Sequence, residues 1–222
     1  MPAGIKILYE DRDIIVIDKS SGLLSVKADY ESKKTAHDLL IGYIRKGNPK
    51  AKKDLFVVHR LDRETSGVMI FAKSLEIREK FTKQWKNVEK KYMALVHGIL
   101  TEKSGIIESY LAEGSDLRVR SVKNPQEGKF AITRYKVIKE SKFNSLLQID
   151  LLTGKKNQIR VHLSENGHPI VGDKKYGKNT KGRLALHAFF IRFKHPFNNE
   201  EMMFESKLPV SFMTYFKHQG QG

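Results

Sequence analysis

The chain has 222 residues, with 41 Lys and Arg against 25 Asp and Glu, which gives a formal net charge of +16 at pH 7. The lack of cysteine excludes disulfides, cysteine-ligated metals and a thiol nucleophile. With 40% hydrophobic residues the sequence is too apolar for a disordered basic tail, and no stretch approaches the ~18 consecutive apolar residues of a membrane span. We expect a soluble, cytoplasmic protein that binds a polyanion; a solvated, lysine-rich surface is the alternative.

The first half of the chain alternates short strands with two helices. Apolar alternation at 5–10 and 14–19 predicts a hairpin. Thr35, followed three residues later by Asp38, forms a capping box that predicts the start of a helix, and a second helix is expected from Ser74. Further strands are predicted at 55–58 and 68–72.

The second half is mostly strand-like. Strands are predicted in the segments KYMALVHGIL, IIESYL, LRVRSV, FAITRYKVI, SLLQIDLL, LALHAFFIRF and EMMFE. NPQEG is predicted to be a hairpin turn, and a short helix is expected to begin near Asn157 and to end at Gly167. This order predicts an α+β fold with a mostly antiparallel central sheet and a few flanking helices. Since no linker interrupts the chain, residues 1–222 are expected to form one domain.

Two patterns in the sequence do not support phosphate or metal binding. GDKKYGKN ends in Asn179, where a phosphate-binding P-loop needs Ser or Thr, so it is interpreted as a basic loop. The eight histidines show no HExxH spacing, and His162 and His168 flank the end of a predicted helix. We therefore expect no metal site and no cofactor.

The segment HRLDRETSG carries the strongest chemical signal. It places Asp62 between Arg60 and Arg63 in a short loop between two predicted strands. Neighbouring guanidinium groups favour the ionised carboxylate. An ionised, rigidly mounted carboxylate can act as a nucleophile, a base or an electrostatic stabiliser. A structural Arg–Asp pair in a turn is the alternative that these residues leave open.

The stretch HRLDRETSGVMIFAKS resembles the central motif of the RluA-type pseudouridine synthases, in which the Asp of HRLD is the essential catalytic residue. Other segments resemble further motifs of that family, in the same order: YEDRDIIVIDKSSGLLS, KKYMALVHG, FAITRYKVI, NQIRVHLSENGHPIVGDKKYG and RLALHAFFIRFKHP. The resemblance covers most of the chain from Tyr9 to about Lys217. It implies the pseudouridine synthase fold with an RNA-binding cleft.

Matching positions imply the site residues. Asp62 would be the catalytic carboxylate, Tyr92 the active-site tyrosine beside the target uracil, and Arg160 the basic partner of Asp62. Predicted RNA contacts are Arg60, Arg63, Lys90, Lys155, Lys156 and Asn157. The family usually has GRTHQIR where this chain has GKKNQIR, which replaces planar, bidentate contacts by point charges.

The resemblance implies an isomerase that converts uridine to pseudouridine in a tRNA or rRNA stem-loop, as a monomer without cofactor or metal. The alternative is a catalytically inactive RNA-binding or RNA-chaperone protein with the same fold. Because the first motif begins at Tyr9, no separate N-terminal RNA-binding domain is expected. Whether Asp62 attacks ribose carbon 1′ or removes a proton from carbon 2′ to give a glycal is left open by the sequence.

Overall fold

The computed structural model describes residues 4–27, 34–48, 50–177 and 181–216. The chain divides into two compact units, unit 1 (Met1–Val88 and Ala188–Ser206) and unit 2 (Glu89–His187 and Lys207–Gly222). The single catalytic domain expected from the sequence stays a prediction. None of the helices in the described ranges is long and apolar enough to cross a membrane.

Strands dominate the described residues, and short helices interrupt them. The strands are β1 (Ile5–Glu10), β2 (Ile14–Lys19), β3 (Phe56–Val57), β4 (Ser66–Ala72), β5 (Glu89–His97), β6 (Ser104–Glu113), β7 (Val119–Val122), β8 (Lys129–Glu140), β9 (Asn144–Leu151), β10 (Leu186–Lys194) and β11 (Glu201–Glu205). The α-helices are α1 (Ala36–Ile44), α2 (Leu75–Gln84), α3 (Gln158–Glu165) and α4 (Val210–Met213). The α+β class with mostly antiparallel pairing is confirmed.

In unit 1 the strand order is β1-β2-β4-β10, with β3 beside β4 and β11 beside β10. Strand β4 is buried at every residue, which explains its continuous apolar run. Gly67 has a φ of 118°, and a Cβ there would lie 2.1 Å from the Ala188 carbonyl oxygen. Only glycine therefore permits this close approach of β4 to β10.

Two predicted helix starts in unit 1 are confirmed. The Thr35 hydroxyl accepts from the Asp38 amide at 3.1 Å, and the Asp38 carboxylate accepts from the Thr35 amide at 3.0 Å, so the capping box forms. The Ser74 hydroxyl caps α2 by accepting from the Ile77 amide. From α2, Ile77 and Phe81 pack into a core with the apolar residues of β2, β4 and β10.

In unit 2 the strand order is β5-β9-β8-β6-β7. NPQEG was predicted to be a hairpin turn, and this prediction is wrong: it contains a 3₁₀ turn (Pro125–Glu127) that leads from β7 to β8, yet these strands pair with opposite edges of β6. Helix α3 packs Val161 against Leu111, Val119 and Ala131 of these strands. The α3 helix follows Asn157 and ends before Gly167, which has a φ of 83°, as predicted.

Candidate active site

The loop that carries Asp62 connects β3 to β4 in unit 1. Asp62 is half-buried, between a buried Leu61 and an exposed Arg63. The Thr65 amide donates to the Asp62 carbonyl oxygen at 3.1 Å, which makes the four residues a hydrogen-bonded turn directly before β4. Asp62 thus lies in a hydrogen-bonded turn.

The backbone on either side of Asp62 is held by the segment that follows β2. The Ser25 hydroxyl donates to the Leu61 carbonyl at 2.7 Å and accepts from the Leu61 amide at 3.2 Å. The Gly22 amide donates to the Arg63 carbonyl at 2.9 Å. Because the neighbouring peptide groups have fixed partners, the direction in which the Asp62 side chain leaves the backbone is restricted.

Lys19 supplies a further contact to this loop. Its side chain is fully buried, and Nζ donates to the carbonyls of Leu23 at 2.7 Å, Ser20 at 3.1 Å and Arg63 at 3.2 Å. An ammonium group has three donors, so these carbonyls offset the cost of burying it. Lys19 was not predicted as a site residue from the sequence, where it ends β2 after the apolar run 14–17 and Asp18.

His59, the first residue of the HRLD segment, fixes the start of the loop. Its Nε2 accepts from the Ile70 amide of β4 at 3.1 Å, and its ring lies 5.0 Å from the Trp85 ring, centroid to centroid. Because a backbone amide must donate to an unprotonated nitrogen, the ring carries its proton on Nδ1. This neutral tautomer ties the loop to β4.

The two arginines beside Asp62 are exposed. Arg63 Nε donates to the Gly22 carbonyl at 3.2 Å, and the same nitrogen lies 3.8 Å from a Glu64 carboxylate oxygen. Both guanidinium groups are therefore accessible to a polyanion beside Asp62. The RNA contacts assigned to Arg60 and Arg63 stay predictions.

Strand β5 of unit 2 carries Tyr92 and Lys90 on the same face, since they are two residues apart. Tyr92 pairs with Ile149 of β9, and its side chain is only 9% exposed. Burial lowers the pKa of Lys90 from its usual value, because the charged ammonium is partly removed from water. One face of β5 thus carries a buried tyrosine and a partly desolvated amine.

Arg160 on α3 is held by an ion pair within unit 2. Its Nε and Nη2 donate to the two carboxylate oxygens of Asp173 at 2.8 and 2.7 Å, which is a bidentate geometry. The Asp173 side chain is fully buried and that of Arg160 is 11% exposed. The sequence predicted Asp62 as the partner of Arg160. Asp173 is a partner of Arg160 that was not predicted from the sequence, and the pairing of Arg160 with Asp62 stays a prediction.

The surroundings of Asp173 favour its ionised form, which pairs with this guanidinium. Burial by itself would raise its pKa, but the hydrogen bonds and charge of Arg160 and the amides of Tyr176 and Lys175 outweigh it and hold the pKa below its usual value. Gly172, with a φ of 75°, lies so close to the Arg183 carbonyl that a Cβ would be 2.0 Å from its oxygen. In the sequence, Asp173 lies in GDKKYG, which is interpreted above as a basic loop and also ends a segment that resembles a family motif.

Asn157 has intramolecular contacts in place of the exposed position expected for an RNA contact. It is 9% exposed, and its backbone is left-handed, with a φ of 54°. Its Nδ2 donates to the Tyr176 hydroxyl at 3.1 Å and its Oδ1 accepts from Arg160 Nη1 at 3.2 Å. Asn157 thus helps to position Arg160, and its contact with RNA stays a prediction.

Lys155 and Lys156 precede α3 and differ in exposure. Lys155 is half-buried, whereas Lys156 is exposed and forms an ion pair with Glu113 at the end of β6. The Lys155 amide donates to the Gln158 side-chain oxygen at 3.0 Å. The exposed pair with Glu113 leaves the Lys156 ammonium accessible to a stronger anion, because exposed pairs contribute little.

His162 anchors α3 to the sheet through both ring nitrogens. Its Nδ1 lies 2.9 Å from the Thr133 hydroxyl and its Nε2 lies 3.0 Å from the Ser109 hydroxyl. Burial lowers the pKa of His162 to about 4, against a smaller opposing effect of Glu165, so the ring is neutral at pH 7. The helix that carries Arg160 is thereby fixed to β6 and β8.

The predicted site residues fall in both units. Asp62, Arg60 and Arg63 belong to unit 1, while Tyr92 and Arg160 belong to unit 2. Within unit 1 the structure brings the carboxylate and its two arginines onto one loop. A contact between Arg160 and Asp62 would join the units, and it stays a prediction.

Comparison with known proteins identifies relatives along nearly the whole chain. The family model described as RNA pseudouridylate synthase matches residues 13–165. An uncharacterized RNA pseudouridine synthase of Mycoplasma genitalium is 35% identical over 221 residues, which cover 96% of this chain and 70% of that protein. The ribosomal large subunit pseudouridine synthase C of Buchnera aphidicola is 38% identical over 222 residues, which cover 94% of this chain and 69% of that protein.

A solved structure is similar in fold. Human RNA pseudouridylate synthase domain containing 4 superposes with a TM-score of 0.78 at 25% identity, and the match covers 95% of this chain and 91% of that chain. The similarity therefore extends over both units. The chain spans about 70% of the length of the curated relatives described above.

Proposed function

The chain belongs to the RNA pseudouridylate synthase family, and on this basis we propose that it isomerises uridine to pseudouridine in a structured RNA, with Asp62 as the catalytic carboxylate. The observation that carries the proposal is the mounting of Asp62 on a turn whose flanking peptide groups are held by Ser25, Gly22 and Lys19. A carboxylate on a backbone that is held in place suits a reaction that demands a fixed geometry at a single ribose carbon.

The reaction is balanced without a co-reactant. The bond between ribose carbon 1′ and uracil nitrogen 1 breaks, the detached uracil turns, and a bond forms between carbon 1′ and uracil carbon 5. The carbon 5 proton is then lost and nitrogen 1 gains one, so that the atoms of product and substrate are the same. The protein must therefore supply a carboxylate, a closed pocket for the turning base and a route for one proton.

The proposed roles follow from the chemistry of each group. Asp62 is the required carboxylate at the ribose. Tyr92, buried on β5, offers a flat ring against which the extruded uracil stacks and a hydroxyl near its carbon 5. Arg160, held by both oxygens of Asp173, supplies a cation whose position does not depend on the substrate.

The positive charge is proposed to hold the RNA while the uridine leaves its stack. Base flipping costs a few kcal/mol, and the cost is least in loops. Contacts of exposed arginines and lysines with flanking phosphates offset this cost. Arg60 and Arg63 lie beside Asp62 on one loop, so they are the first residues expected to touch the flanking nucleotides.

An rRNA or tRNA stem-loop is the proposed substrate, and the protein is proposed to act as a cytoplasmic monomer. The name of the Buchnera relative assigns that protein to the large ribosomal subunit, so large-subunit rRNA is the first RNA to test.

The proposal is tested with RNA that carries tritium at uracil carbon 5. Wild-type protein should release tritium, and Asp62→Asn should lower the rate at least about a thousandfold, as expected when the central catalytic group is lost. Glu64→Gln, an exposed carboxylate on the same loop, is the matched control and should change the rate less than about twofold. Wild-type protein that releases no tritium, or full activity of Asp62→Asn, would contradict the proposal and favour a protein that only binds RNA.

A further inference from the structure

A concave site lies in unit 1, away from the Asp62 loop. It is a cavity of about 520 Å³ between the β1–β2 turn, the end of α1 and the basic stretch before β3. Its lining residues are Glu10, Arg12, Tyr43, Ile44, Lys46, Lys52, Lys53, Asp54 and Lys73. We refer to it as the lysine pocket.

The lysine pocket carries an excess of positive charge. Five cations face two carboxylates, and both carboxylates have partners: Glu10 accepts from Lys73 Nζ at 2.7 Å, and Asp54 accepts from Arg45 at 2.8 Å. Within the described ranges, Lys46, Lys52 and Lys53 form no ion pair of their own. The charge that they leave uncompensated favours an anionic ligand.

One aromatic ring lines the same pocket. Tyr43 is 41% exposed, and its hydroxyl donates to the second carboxylate oxygen of Glu10 at 3.0 Å. This hydrogen bond raises the pKa of Tyr43 and restrains the ring. A restrained, exposed ring beside lysines is the combination that binds a nucleotide, since the base stacks and the phosphate is paired.

The lysine pocket is remote from the candidate catalytic loop. In the pairing of β2 with β4, Lys19 and Gly67 lie at the end near Asp62, whereas Ile14 and Ala72 lie at the other end. The pocket residues Glu10 and Lys73 adjoin that other end. Five residue steps along a strand correspond to about 17 Å, so a ligand in the pocket is not the target uridine.

We propose that the lysine pocket binds a nucleotide of the substrate RNA outside the target uridine, with its base on Tyr43 and its flanking phosphates on Lys46, Lys52 and Lys53. The inference rests on the proposed function, since it takes the ligand to be the RNA that is modified. These lysines lie in one short stretch of chain, which also contains an exposed Lys50. Such a row suits successive phosphates of a strand better than the single phosphate of a mononucleotide.

The test measures binding of a fluorescein-labelled RNA stem-loop of 20 nucleotides. The double variant Lys52→Gln/Lys53→Gln should weaken binding at least about tenfold and lower the slope of log affinity against log salt by about one for each lysine. The control Lys83→Gln/Lys86→Gln removes two exposed lysines, one in the last turn of α2 and one in the 3₁₀ turn after it, with the same change of charge. It should weaken binding less than about twofold.

Variants of Tyr43 separate stacking from charge. Tyr43→Leu should weaken binding about fivefold or more, while Tyr43→Phe keeps the ring and should bind within about twofold of wild type. With RNA below saturation, the rate of tritium release should fall in the pocket variants in proportion to their loss of binding.

Three results would overturn the inference. The first is an equal loss of binding in the pocket pair and the control pair, and the second is equal binding by Tyr43→Leu and wild type. The third is a pocket variant that loses binding of uridine 5′-monophosphate but binds the stem-loop as wild type does, which would assign the pocket to a free nucleotide. If wild-type protein releases no tritium and the pocket variants still lose RNA binding, the proposed function fails while the pocket is supported as an RNA site.

Discussion

Two segments that hold candidate catalytic groups are fixed by different kinds of contact. The Asp62 loop is held mainly by backbone groups, which receive hydrogen bonds from Ser25, Gly22 and Lys19. Arg160 is held by a buried charge, the carboxylate of Asp173. The backbone on either side of the candidate catalytic carboxylate is thus held by hydrogen bonds to main-chain groups, whereas the guanidinium of Arg160 is held by an ion pair with Asp173.

The difference predicts how each segment fails. A buried ion pair is sensitive to the removal of one partner, because the other charge is left uncompensated. A set of backbone hydrogen bonds loses stability in smaller steps of about 1 kcal/mol each. Substitutions should therefore differ in how much they lower the free energy of unfolding, and the predictions below run from the largest loss to the smallest.

The largest effect is expected for Asp173→Asn. It removes the Asp173 carboxylate from the largely buried Arg160 guanidinium, and it should lower the free energy of unfolding by about 4 kcal/mol. Urea denaturation followed by circular dichroism measures this. Asp116→Asn, which removes an exposed Asp–Arg pair with Arg120 in the same unit, is the control and should leave the midpoint almost unchanged. Equal losses in the two variants would show that burial of the pair contributes nothing.

The next effect is a loss of stability at acidic pH that arises in unit 2. Burial lowers the pKa of His162 to about 4, while the unfolded chain has the ordinary value of 6.5. Between these values the unfolded state binds the proton and the folded state does not, so stability falls as pH drops from 6.5 towards 4. The expected loss is about 3 kcal/mol.

Denaturation curves at pH 7 and pH 4 measure this difference, and the variant His162→Gln is the control. Its loss over the same interval should be smaller by about the contribution of His162. A pH dependence that is identical in the variant and the wild type would contradict the assignment.

A smaller effect is expected for Lys19→Met, which tests the backbone contacts around Asp62. It removes the donors to Leu23, Ser20 and Arg63 but also removes the cost of a buried charge, so we expect a loss of about 2 kcal/mol. Lys6→Met replaces an exposed lysine of β1 and should change stability by less than about 0.5 kcal/mol. Tritium release by the folded Lys19→Met variant should fall as well, because the Asp62 turn loses part of its support.

The smallest effect is expected for Ser25→Ala, at about 1 kcal/mol, since one hydroxyl both donates to and accepts from Leu61. Ser25→Thr retains the hydroxyl and is the control for it. Thermal unfolding resolves the two variants, and a stability of Ser25→Ala equal to wild type would indicate that the hydroxyl does not hold the turn.

Local patterns in the sequence predicted much of the fold. The capping box at Thr35, the cap at Ser74 and the apolar face of α2 were visible because caps and helix periodicity act within a few residues. The sequence did not predict the pairing of β7. NPQEG has the residues of a turn, but β7 and β8 both pair with β6 and not with each other. Strand β3 is shorter than the predicted segment 55–58, since only Phe56 and Val57 pair with β4.

The candidate site shows the same division. The sequence by itself determined the family resemblance, the α+β class, the excess of positive charge and the choice of Asp62, because these depend on residue types in order along the chain. Only the tertiary structure identified Lys19 as a support of the Asp62 loop, Asp173 as a partner of Arg160, and the enclosure of Asn157. Those contacts join residues that are distant in the chain or on different elements, and burial, which gives them their strength, exists only once the chain has folded.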